Sequence, residues 1–204
     1  MRLTTDRTAL MRVRGAIQDS ATLAINSGAL AIGTVATAGL GFVYWWLAAR
    51  LFPPEAIGNV SALLSIIGLT ALLGEAGLGT LLVGEIVRHP KKAPSLVAAA
   101  ALIGAALAVG LGLAFVLGTH FVQSTRPIDG WLAGFIFVLG CGLTAFTMVV
   151  DQAFVGSLNS TGRMIQQVFF SVFKLMLVVI AAAVSQTSST TILLSWVAGL
   201  LTSW

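Results

Sequence analysis

Charge is what this 204-residue chain has least of: Asp, Glu, Lys and Arg together make up 9% of it, against ~25% in an ordinary soluble domain. Hydrophobic residues make up 57%, and the two figures together exclude a water-soluble globule. Cysteine is nearly absent too. The single Cys141, set in an apolar run, excludes an intramolecular disulfide and a multi-cysteine metal site. The two histidines, His89 and His120, fall near the ends of apolar runs with no paired ligand at helical spacing, so no metal centre is expected. A pI near 10.0 comes with a net charge of only +4 and no dense basic stripe, which argues against a nucleic-acid partner. Phosphate loops, dinucleotide fingerprints, nucleophile elbows and Asp-x-Asp pairs are all missing, and every polar connection is too short to hold an active-site domain. The chain is therefore expected not to be an enzyme and to need no cofactor.

What is present is a series of long apolar runs separated by short polar connections. A basic arm, 1–19, carries Arg2, Asp6, Arg7, Arg12, Arg14 and Asp19. The remainder, 20–204, reads as a transmembrane bundle, because a helix needs about 20 apolar residues to cross a bilayer. The spacing predicts spans over 20–49, 56–84, 95–122, 131–150 and 164–184. A last run, 192–204, reaches only ~20 Å at 1.5 Å per residue and so reads as a helix cut short at the chain end. The first run exceeds the apolar core of a secretory signal. Pro53 and Pro54 forbid helix continuation after the first span and set the start of the second. Runs of this length, without period-two alternation, exclude an outer-membrane barrel. The fold class is thus all-α, a polytopic membrane bundle of about six helices.

Orientation follows from Lys and Arg beside the spans, which accumulate on the cytoplasmic side. The arm, the second connection (Arg88, Lys91, Lys92) and the fourth (Arg163) carry eight, whereas the opposite side has Arg50 and Arg126 alone. This places the amino terminus in the cytoplasm, in a multi-pass protein of the cytoplasmic membrane.

Few charges remain inside the spans, and each is a candidate for function because an unpaired charge in hydrocarbon costs several kcal/mol. Glu75 sits in Gly74-Glu75-Ala76-Gly77-Leu78-Gly79, where glycines permit close helix approach. It lines a cavity, where it would titrate, hold a coupling cation or partner a base, or fixes packing by hydrogen bonds, or is simply exposed at the interface. Lys174 lies eleven residues beyond Arg163, ~16 Å along a helix. It faces a cavity and an anionic substrate, pairs with Asp151 or Glu75, or snorkels to the surface. Asp151 closes the fourth span, as a cap, a partner of Arg163 or a coupling group. Arg50, beside the Pro-Pro turn, either pairs locally with Glu55 or faces an outward cavity. Tyr44, Trp45 and Trp46 read as an interfacial aromatic belt.

Three stretches together resemble the polysaccharide-exporter and lipid-linked oligosaccharide flippase family, within the superfamily that includes the multidrug and toxin extruders. They are Ala48-Ala49-Arg50 with Phe52-Pro53-Pro54 and Ile57-Gly58-Asn59, the run from Leu73 to Leu81 around Glu75, and Asp151-Gln152-Ala153 followed by a glycine turn and Lys174-Leu175. The resemblance implies two similar bundles that alternate access to either side of the membrane, this chain supplying the first lobe and a second helical bundle being its partner. It further implies a lipid pyrophosphate-linked glycan as substrate, with Lys174, Arg50 and Glu75 as candidate contacts and Asp151 or Glu75 as ion-pair or coupling groups. The alternatives are a cation-coupled multidrug extruder of the same superfamily and a non-transporting membrane scaffold in a glycan-synthesis complex.

Overall fold

The computed structural model describes residues 27–28, 31–121, 130–157, 160–183 and 189–202; the arm 1–19 lies outside them. Among the described residues every regular element is helical. The first, α1, spans Ala31–Leu51 and ends where Pro53 removes a backbone donor. Phe52 N–H still bonds Ala48 O at 2.9 Å, and the buried Phe52 ring pins the turn. Helix α2, Pro54–Glu75, starts with Pro54 in its first turn and Glu55 beside it, a proline and an acid where the free N–H groups favour both.

The second span is not one helix. Ala76 (φ 47°, ψ 31°) and Gly77 (φ 78°, ψ 5°) are both left-handed and break it directly after Glu75. Ala76 N–H returns to Leu72 O at 3.3 Å, and Leu81 N–H takes Gly77 O at 3.1 Å as the next helix begins. Helix α3, Leu78–Arg88, is followed by a 3-10 turn, Pro90–Lys92, so the expected polar connector is largely helical. Then come α4 (Ala93–Phe121), α5 (Trp131–Gly156), α6 (Ser160–Ala183) and α7 (Ser189–Thr202). Five helices are long and apolar enough to cross a membrane, while the apolar Ser189–Leu201 segment is shorter. Helix α5 runs six residues past the expected end of its span and α6 starts four before its own, so Asp151 and Arg163 lie within helices instead of closing them.

Helix α5 is the hub. Half of its most apolar window is buried, against 17% for α1 and 11% for α6. Phe137, Cys141 and Ala145 on α5 meet Ile67 and Ala71 on α2, Ala108 on α4, and Leu193 and Val197 on α7 in the main core. Hydrophobicity does not draw helices together in lipid, so small residues that let backbones close up do that work. A Cβ at Gly74 would lie 2.7 Å from Ala108 N and 2.8 Å from Gly104 O, so α2 and α4 pack closely here. On α5, Gly142 leaves the same kind of room for Val109 of α4. A second core joins Tyr44 and Phe52 to Val60, Val178 and Ile192, tying α1 to α2, α6 and α7. Tyr44 is 1% exposed, so it turns inward; only Trp45 and Trp46 of the expected aromatic belt face outward.

Candidate functional site

Arg163, Gln167, Phe170 and Lys174 follow one another at intervals of four, three and four residues, which stacks them on one face of α6 over ~16 Å. That face turns toward α1, α5 and α7, and two polar features lie along it. At its far end, the Lys174 ammonium rests 4.8 Å from the Tyr44 ring centre and 5.1 Å from that of Phe170. A cation over aromatic faces is held by their quadrupoles without being neutralised. Trp196 meets Phe170 edge-on at 6.3 Å and extends the aromatic wall onto α7. Gly199 makes the close approach of α7 possible, since a Cβ there would come within 3.1 Å of both Lys174 Cβ and Phe170. The Tyr44 hydroxyl faces Ser195, whose own hydroxyl donates to Ile192 O at 2.7 Å, and Tyr44 Oη completes no hydrogen bond among the described residues.

Nearer the start of α6, Thr147, Asp151, Gln166, Gln167, Phe170 and Leu200 line a cavity of about 140 Å³ between α5, α6 and α7. Asp151 Oδ2 accepts from Arg163 Nη2 at 3.5 Å and from Gln167 Nε2 at 3.4 Å. Its other oxygen, Oδ1, is buried and has no partner among the described residues, and the same holds for Arg163 Nε and Gln166 Oε1. Buried polar atoms are nearly always satisfied, so three orphans on neighbouring side chains mark a place prepared for polar groups from outside the chain, water included. The lining contains a carboxylate, two amides and a hydroxyl beside an aromatic ring, with the Arg163 guanidinium bonded to the carboxylate, a mixture of donors and acceptors suited to a polyhydroxyl ligand.

The candidates from sequence thus part company. Lys174 forms neither of its expected ion pairs: among the described residues the pairs are Arg88–Glu85, His89–Glu85 and Arg163–Asp151. Asp151 takes Arg163 instead, which is near because α5 and α6 both extend into the polar stretch between them. Glu75 lies elsewhere, at the break between α2 and α3, 8% exposed and without a cation among the described residues, its carboxylate folded over Gly79 beside Gln152 of α5. Arg50 is exposed and stacks 4.3 Å from the centre of the Trp46 ring, with no pair to Glu55. The charge-based reading missed Gln166, Gln167, Thr147, Phe170 and Tyr44, although the adjacent amides Gln166 and Gln167 inside an apolar run were a legible signal. No group of three metal-ligating side chains occurs among the described residues.

A family model described as polysaccharide biosynthesis protein matches residues 23–203. The chain belongs to that family. No curated protein and no solved structure matches it. As a polysaccharide biosynthesis protein with several apolar helices it is a multi-pass membrane protein, and its family associates it with polysaccharide synthesis and the transport that accompanies it.

Proposed function

We propose that this protein moves lipid-linked oligosaccharide or polysaccharide precursors across the cytoplasmic membrane by alternating access, acting as one helical bundle against a second. The observation that carries the reading is Lys174, a half-buried cation on a membrane-spanning helix, held on two aromatic rings and opposed by no carboxylate among the described residues. Such a cation suits an anion that arrives and leaves, because a resident carboxylate would neutralise it permanently. In this reading the ammonium meets the pyrophosphate, and the cavity of Asp151, Gln166 and Gln167, about two turns away along α6, meets sugar hydroxyls. The lipid tail stays in the bilayer, and the substrate is carried without being chemically changed. The amino terminus lies in the cytoplasm, as the distribution of Lys and Arg favours.

Lys174→Gln and Lys174→Arg test it, in cells whose surface polysaccharide depends on this protein, with membrane levels matched. A hydrogen bond to a charged group contributes ~1.5–3 kcal/mol, so the glutamine variant is expected to lose at least about tenfold in export. The arginine variant should keep most of it. Unchanged export by Lys174→Gln at normal expression overturns the phosphate role.

One observation favours cation coupling as the energy source, a feature shared with the drug extruders. Glu75 is a buried carboxylate without a cation among the described residues, at the one described break between helices of a single span. Glu75→Gln should then abolish the dependence of transport on the proton or sodium gradient while leaving substrate binding in place.

A further inference from the structure

At the end of the molecule where α3 finishes and α4 begins, an apolar slot and a basic turn adjoin. The slot, about 400 Å³, runs between α4 and α5 and is walled by Ala93, Val97 and Ala101 on one side and Phe146, Val150 and Phe154 on the other. From Ala93 to Ala101 is ~12 Å along the helix axis, and from Phe146 to the slot's last residue, Ser157, ~16 Å. One leaflet of a ~30 Å hydrocarbon core has that depth. Beside it, Arg88, His89, Pro90, Lys91 and Lys92 line a second hollow of about 340 Å³. The two are continuous along the chain: Ile86, two residues before Arg88, and Ala93 and Pro94, directly after Lys92, all line the slot. The basic turn therefore crosses the mouth of the slot at the level where the spans end.

The charges at that mouth do not cancel. Among the described residues Glu85 is the nearby acid, and it is engaged by Arg88 at 3.5 Å and by His89 at 3.7 Å. Lys91 and Lys92 are exposed and make no ion pair among the described residues. From α4, Ser95 adds no charge; its hydroxyl donates to Lys92 O at 2.9 Å and fixes the turn against the helix start.

We propose that this end of the protein binds a phospholipid with an anionic headgroup, its phosphate on Lys91 and Lys92 and one acyl chain in the slot between α4 and α5. Charge complementarity selects the headgroup, and the apolar slot, one leaflet deep and opening beneath the cations, selects a lipid over a soluble phosphate. The site is remote in sequence from Lys174 and stands whether or not the transport reading does.

Native mass spectrometry of the whole protein, released from mixed phosphatidylglycerol and phosphatidylcholine micelles, tests it by counting retained lipids. Each lysine near an anionic headgroup contributes a factor of about five. The protein should retain phosphatidylglycerol over phosphatidylcholine by about tenfold or more, and Lys91→Gln/Lys92→Gln should bring the two near parity. Ala98→Phe, at an exposed position on the slot wall, should lower retention of phosphatidylglycerol with both lysines in place; Ser157→Phe repeats the block from the α5 side should the first variant misfold. Equal retention of the two lipids by the unaltered protein, or a preference that survives both the charge and the slot variants, overturns the proposal. So does displacement of phosphatidylglycerol by inorganic phosphate alone, which would leave the slot without a role.

Discussion

Arg163 and Asp151 show how one residue's environment decides what its charge can do. Their side chains are 28% and 19% exposed and 3.5 Å apart, and each also carries an orphaned atom. Removing one partner of such a pair leaves the other desolvated and uncompensated, which costs more than the pair itself contributes. Arg163→Gln alone should therefore lower stability in detergent by ~1–3 kcal/mol, and Asp151→Asn alone by a similar amount. The double variant should lose less than the sum of the two by at least ~0.5 kcal/mol. A thermal-unfolding cycle on the four proteins measures this, and strict additivity would show that the pair is not coupled. The candidate site was only partly legible at this scale. Scarcity of charge singled out Lys174, Asp151 and Glu75, because hydrocarbon penalises each of them. Which of them meet depends on where α5 ends and α6 starts, and a polar stretch such as 151–163 reads as a loop by composition although the structure makes most of it helical. Uncharged Gln166 and Gln167 carry a smaller penalty and were overlooked for that reason.

The break between α2 and α3 belongs to the scale of the element. Hydropathy predicts one span over 56–84, since neither Ala76 nor Gly77 is polar and alanine is the best helix former. What composition conceals is backbone geometry: Ala76 at φ 47° accepts a left-handed conformation that costs an L-residue roughly 1–2 kcal/mol. Close packing of Gly74 against Ala108 and Gly104 immediately before the break fixes α2 on α4 and leaves the chain to turn there. Ala76→Gly should therefore stabilise the protein by up to ~1 kcal/mol, the relief of strain exceeding the added freedom of the unfolded chain. Gly77→Ala, at φ 78°, should destabilise it by ~1 kcal/mol or more. Gly74→Ala should be worse, at ~1–3 kcal/mol, because the obstructing atoms are backbone and cannot rotate away. Unfolding temperatures of the three variants in one detergent check the order. If Ala76→Gly were the most damaging, the left-handed turn would not be the strained element described.

For the whole molecule, the helical membrane bundle was the most legible feature, because twenty-residue apolar runs have few alternatives in a chain with so little charge. How the helices pack was not legible, since it rests on glycines whose neighbours lie on other helices, Gly74 against Ala108 and Gly142 against Val109. The direction of the bundle across the membrane is a separate physical question, governed by cations next to the spans. The basic turn at Arg88, Lys91 and Lys92 and the single Arg50 at the Pro-Pro turn lie at opposite ends of the second span, α2 with α3. With the turn in the cytoplasm, Lys91→Cys should react with a membrane-impermeant maleimide only after intact cells are opened, and Glu55→Cys should react without opening them. The native Cys141 is buried in the main core and should contribute little background. Neutralising Arg88, Lys91 and Lys92 together while adding three arginines around Glu55 should weaken the preference, giving a mixed population in which both cysteines react partially from outside. Labelling of Lys91→Cys from outside intact cells, with the native charges in place, would invert the proposed topology and put the basic turn, with the lipid slot beneath it, in the outer leaflet.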